Sequence, residues 1–106
     1  MTRRVMGQLN ALATIEAENT FTAALPLQSG EQASVSLSGL TDSTGTLQRK
    51  LNGSDWRDVW EFAPADIGTE FPEKTYFADE RCFIRLGVKT GDYGTDTITA
   101  RIGKGG

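Results

Sequence analysis

Residues 81–102 read RCFIRLGVKTGDYGTDTITARI. In the first part Cys82, Ile84, Leu86 and Val88 fall on one side, and Arg81, Phe83, Arg85 and Lys89 on the other. In the last part Ile98, Ala100 and Ile102 alternate with Thr97, Thr99 and Arg101. A period of two is what a strand with one wet face requires, because successive side chains leave the backbone in opposite directions. Gly91 and Gly94 supply turn conformations between the runs, and Asp92 tolerates them. The stretch predicts a β-hairpin with both aliphatic faces turned to the core.

The same grammar runs through most of the chain. Over 20–25, Phe21, Ala23 and Leu25 alternate with Thr20, Thr22 and Ala24, and Pro26 ends the run. Ser29-Gly30 signals a turn. Ala33, Val35 and Leu37 then alternate with Gln32, Ser34, Ser36 and Ser38, predicting a strand with a serine-rich outer face, closed by Gly39 and the TDSTG cluster. Residues 46–51 predict a strand with Leu47, Arg49 and Leu51 on one face. Asn52-Gly53 is a strong hairpin signal, since both residues accept positive φ. On the return strand, 55–62, strict alternation puts Trp56, Asp58, Trp60 and Phe62 together, opposite Arg57, Val59 and Glu61. Neither face is purely apolar, so one aromatic set must be partly exposed or covered by something else. Residues 63–72 read as an irregular crossover with a short edge strand over 69–71, and 75–77 predicts another strand before a corner at Ala78-Asp79-Glu80.

About seven short strands with turn signals between them predict an all-β fold, a single antiparallel β-sandwich of immunoglobulin-like type. Residues 1–18 are expected to form an extended N-terminal arm, 19–102 the sandwich and 103–106 a flexible tail. Within the arm, Leu9, Leu12 and Ile15 have a spacing that allows one or two helical turns, which are marginal in water. Burying an inward Leu, Ile, Val or Phe contributes about 1.5–3 kcal/mol. Such gains exceed chain entropy only narrowly, so assembly with neighbours is expected to add stability.

Composition removes several functions. The chain has 106 residues, the size of one domain, and no histidine. Ser-His-Asp and Cys-His catalysis and the usual zinc sites are therefore excluded, and no enzymatic activity or cofactor is expected. A net charge of −3 argues against nucleic acid as main partner. No apolar run reaches the length of a membrane span, and no signal peptide is read in residues 1–18, which Glu16 and Glu18 interrupt. The lone Cys82 faces inward in this register and reads as a structural thiol, consistent with folding in the reducing cytoplasm. Asp92 and Asp96 flank a turn, but their spacing matches no calcium loop with enough oxygen ligands. Asp79 and Glu80 read as solvated corner residues.

Residues suited to contact rather than chemistry remain. Trp56 and Trp60 offer large area at low entropy cost, for stacking on sugars or anchoring a protein interface, and one of them is expected in the core. Arg3 and Arg4 form a short basic terminus able to order on a neighbouring subunit. Phe71 is a further contact candidate. The run LQRKLNGSDWRDV shares with the Asp-box hairpin only Gly53, Asp55 and Trp56, with Asn52 near the aspartate's place; it implies a Trp packed back on a turn and nothing about sugar cleavage.

The blocks TGTLQRKLNGSDWRDV and YFADERCFIRLGVKTGDYGTDTITARIG resemble the small β-sandwich proteins of tailed-phage virions and prophages. Gly45, Leu47, Gln48, Arg49, Trp56, Arg57 and Val59 carry the first block; Arg85, Leu86, Gly87, Val88, Gly94, Ile98 and Arg101 carry the second. Asn52-Gly53-Ser54 replaces a longer aspartate-glycine turn. The resemblance implies a non-enzymatic virion protein, made in the host cytoplasm: a capsid decoration or cement protein that binds the major capsid protein or other virion proteins, assembles as a trimer or ring, and bridges neighbouring capsomers. It implies no direct nucleic-acid or membrane contact. A head–tail connector or tail accessory protein is the alternative, and a carbohydrate-binding adhesion module the second. Arg3, Arg4, Trp56, Trp60 and Phe71 are the expected interface residues.

Overall fold

Alternating residues can bury one face only if a second layer covers it. The computed structural model, which describes residues 10–64 and 73–104, supplies that layer with two antiparallel sheets. The strands among the described residues are β1 (Asn10–Ile15), β2 (Thr20–Phe21), β3 (Leu25–Leu27), β4 (Gln32–Ser38), β5 (Gly45–Leu51), β6 (Arg57–Phe62), β7 (Glu73–Phe77), β8 (Cys82–Val88) and β9 (Ile98–Lys104). One sheet has the order β1-β9-β4-β7. The other has β2-β8-β5-β6, with β3 also paired to β8. The chain is thus an all-β sandwich.

The strand order departs from the immunoglobulin arrangement that the turn spacing suggested. β2 and β3 both pair with β8 and act as one interrupted strand, which gives eight among the described residues. Among the described residues only β5 and β6 are consecutive strands that pair with each other; every other step from one described strand to the next crosses to the opposite sheet, and β1 and β9 are neighbours. That is the wiring of a jelly roll, not of immunoglobulin sheets, where strands F and G are adjacent. The expected hairpin over 81–102 falls with it. β8 pairs with β2, β3 and β5, whereas β9 pairs with β1 and β4. The alternation itself holds: Cys82, Ile84, Leu86, Val88, Ile98, Ala100 and Ile102 are each at most 1 % exposed. The two strands face each other across the core, and the connection between them spans the gap of about 10 Å between packed sheets. Burial raises the pKa of the Cys82 thiol and keeps it protonated and inert.

The N-terminal reading also changes. Residues 10–15 are a strand, not part of an arm or a helical turn, so the sandwich begins before residue 19. Ala11 and Ile15 are buried against β9, while Leu12 points outward and is 68 % exposed. Small alanines at inward positions hide the period. At the other end β9 continues to Lys104, whose ammonium pairs with Glu31 at 3.1 Å.

Two connections are tied together at one end of the sandwich. Asp96 accepts the amides of Thr41 (2.8 Å), Asp42 (3.0 Å) and Ser43 (3.1 Å), and the Thr41 hydroxyl donates to its other oxygen. Asp42 returns the favour to the amide and hydroxyl of Thr95, both at 2.8 Å, and Ser43 Oγ accepts the Gly94 amide at 2.8 Å. A Cβ at 94 would run into the Asp42 carboxylate, so a side chain there would displace it from Thr95. The Asp96 carboxylate, one of the two weighed for a cation, is thus occupied by donors of the chain itself.

Candidate interaction site

A single irregularity builds the site. Leu47 pairs with Trp60 and Gln48 with Asp58, so neighbours on β5 face residues two apart on β6, and Val59 is the extra residue of a β-bulge. The bulge inverts the facing of the strand at its midpoint. Trp60 and Phe62 turn inward; Trp56 and Asp58 turn outward. Trp60 packs edge-on to Phe62 (6.3 Å between centroids) and Tyr76 (5.8 Å), with the Lys74 ammonium 4.4 Å from its ring centre. This cluster closes the side of the sandwich between edge strands β6 and β7. The mixed face expected for 55–62 is resolved in this way: the strand has an inward aromatic half and an outward one.

On the outer face of the β2-β8-β5-β6 sheet, Arg85 is the centre. Its guanidinium carbon lies 4.1 Å from the Phe21 ring centre and 4.3 Å from that of Trp56. Phe21 reaches it from the β2 side and Trp56 from the β6 side, so the cation is flanked by rings. Gly87 makes the approach of β2 possible: a Cβ there would collide with the Thr20 carbonyl and come within 2.6 Å of Phe21 Cα. Arg85 Nε donates to Gln48 Oε1 (2.9 Å), Gln48 Nε2 donates to Asp58 Oδ1 (2.9 Å), and Lys89 Nζ donates to Asp58 Oδ2 (2.6 Å) while also lying 3.8 Å from Glu61. This relay fixes the rotamer of each side chain. Burial lowers the pKa of Arg85, the mark of a partly desolvated cation, whereas Lys89 and Gln48 together hold Asp58 below its ordinary value. Lys50 stands beside Trp56 at 6.0 Å, and Phe83, 37 % exposed, is its cross-strand partner.

The outer face of the other sheet is different. Ser34, Ser38, Thr14 and Thr99 line it, Ser36 in the same row is buried, and Phe77 is exposed on β7. A cleft of about 560 Å³ lies beside the β5–β6 hairpin, lined by Arg49, Leu51, Ser54, Arg57, Asp58 and Val59. Arg49 there is held by Asp79 (3.0 Å) and Glu80 (3.5 Å), which gives the exposed corner residues a partner.

Of the expected contact residues, Trp56 lies on the outer face and Trp60 against the core; Arg3, Arg4 and Phe71 fall outside the described residues. Sequence reasoning missed Phe21, Gln48, Asp58 and Lys89 as a group, and Arg85 as its centre. Arg85 was visible as an outward residue of β8, but its neighbours become known only with the strand order. The sequence matches no family model and no curated protein, and the fold matches no solved structure.

Proposed function

We propose that this chain is a structural virion protein of a tailed phage or prophage, a capsid decoration or cement protein that attaches to the outer shell and stabilises neighbouring capsomers. The observation that carries the reading is the Phe21–Arg85–Trp56 cluster on an open sheet face. Aromatic and arginine side chains held rigid before contact are the groups that dominate protein interfaces, because little entropy is lost when they are covered. Jelly-roll sandwiches recur in viral capsid domains, which supports the reading by analogy of fold alone. The resemblance of the 44–59 and 76–103 blocks to virion proteins points the same way. Many copies on a repeating shell turn modest individual contacts into firm attachment.

Cryo-electron microscopy of particles assembled in cells that encode the chain tests this. Density for it at repeated capsomer positions supports decoration. Density confined to a ring at the neck supports the connector alternative, and absence from the particle removes both. The same open face, with a tryptophan on a flat sheet, also suits a carbohydrate-binding module. A glycan array with Trp56→Ala as control separates that reading, which fails if the wild type binds no glycan.

A further inference from the structure

We propose that Arg85, flanked by Phe21 and Trp56, is a carboxylate receptor that takes an aspartate or glutamate side chain presented by the partner protein's surface. This deepens the virion reading and rests on it for the partner's class.

Both sides of the guanidinium have an aromatic neighbour, at 4.1 and 4.3 Å, and Nε is engaged by Gln48. Its two Nη groups have no hydrogen-bond partner among the described residues, and the side chain is only partly buried. An arginine fork with its Nε engaged, a ring on either side and its Nη groups unspent matches a carboxylate in two parallel hydrogen bonds. The usual competitor is absent. Asp58, the nearest acid in the relay, gives one oxygen to Gln48 and the other to Lys89. Lys50, a further cation on this face beside the paired Lys89, likewise makes no ion pair among the described residues. Arg85 and Lys50 are thus two cations without an ion-pair partner among the described residues, in a chain whose net charge is −3, and their complement is acidic. Neither the cleft beside the hairpin nor the smaller one at Asn52, Arg81, Cys82 and Phe83 is lined by Phe21, Arg85 or Trp56. The receptor stands on a sheet surface, as protein contacts do, with Phe83 and Pro26 exposed beside it.

The test is a titration of the purified, isotope-labelled chain, followed by NMR, with three probes: a blocked tetrapeptide carrying two glutamates, its diglutamine counterpart, and galacturonic acid. Saturable shifts of the Arg85 Nε–H and Trp56 indole N–H are expected with the glutamate peptide and not with the glutamine peptide. Arg85→Lys, which keeps the charge and loses the fork, is expected to weaken binding by about tenfold or more while leaving the rest of the spectrum in place. Equal response to both peptides, equal binding by Arg85→Lys, or tighter binding of galacturonic acid than of the glutamate peptide overturns the proposal. If Arg85→Lys does not fold, the comparison of the two peptides on the wild type decides. The titration needs no particle, so its failure leaves the virion reading standing, and absence from particles removes that reading whatever the titration shows.

Discussion

Trp56 and Trp60 lie within one strand-turn segment yet on opposite faces of the same sheet, because Val59 is an extra residue between them. Their substitutions are expected to differ accordingly. Trp60→Ala removes the ring that joins Phe62, Tyr76 and Lys74, and is expected to cost about 2–4 kcal/mol, a little below the range for a fully buried tryptophan. Trp56→Ala removes a cation–π neighbour of Arg85 at the surface and is expected to cost about 0.5–1 kcal/mol. Urea denaturation of the two variants, followed by far-ultraviolet circular dichroism, checks the order. Equal losses would contradict the placement of the bulge.

The clasp between the 39–44 and 89–97 connections makes stability depend on acid. Burial alone would raise the pKa of Asp96, but donors from Thr41, Asp42 and Ser43 outweigh it and hold the carboxyl well below its ordinary value. A pKa lower in the folded state means the unfolded chain binds the proton first. The stabilisation is therefore complete above the unfolded value of about 3.9 and is lost as pH falls towards the folded value. Asp96→Asn is expected to cost about 1.5–3 kcal/mol at pH 7, and the gap between variant and wild type is expected to shrink below about pH 4. Urea midpoints measured across pH 2.5–7, with the approximate range set by these values, test the sign.

Gly87 is the position where β8 admits β2. Gly87→Ala is expected to push Phe21 and the Thr20 carbonyl away, with a cost of about 1–3 kcal/mol from overpacking. The displaced Phe21 leaves one side of Arg85 open, so the NMR signal of the Arg85 Nε–H is expected to move more than those of β9. A variant as stable as wild type with an unchanged Arg85 signal would contradict this contact.

The β5–β6 hairpin turns on Gly53, at φ +80°, while Ser54 N donates to Leu51 O at 3.0 Å and Ser54 Oγ accepts the Leu51 amide. Gly53→Ala is expected to destabilise by about 1 kcal/mol through the left-handed backbone alone, since no atom crowds a Cβ there. Thermal unfolding of the variant measures it.

Much of this arrangement was legible in the sequence. The alternation correctly placed Val35, Leu37, Leu47, Ile84, Leu86, Ile98 and Ile102 in the core, because a period of two states which face is dry. It is silent on which strand lies beside which: a run with one dry face looks the same whether its sequential neighbour is paired with it or lies across the core. That is why Cys82–Val88 and Ile98–Lys104 read as a hairpin and fold as members of opposite sheets. The bulge at Val59 was invisible for a related reason. It is a property of pairing with Leu47 and Gln48, and only the mixed character of 55–62 hinted at it. Arg85 could not be singled out because each of its neighbours comes from a different strand or loop.

On the proposed reading, the open face of the β2-β8-β5-β6 sheet attaches this chain to a capsid shell. Cosedimentation of the purified chain with capsid shells assembled in cells that encode it measures this directly. Saturable binding of the wild type, weakened by about tenfold or more in Trp56→Ala, is the predicted result. Wild-type chain that stays in the supernatant at every concentration, or a Trp56→Ala variant that binds as tightly as wild type, would contradict it.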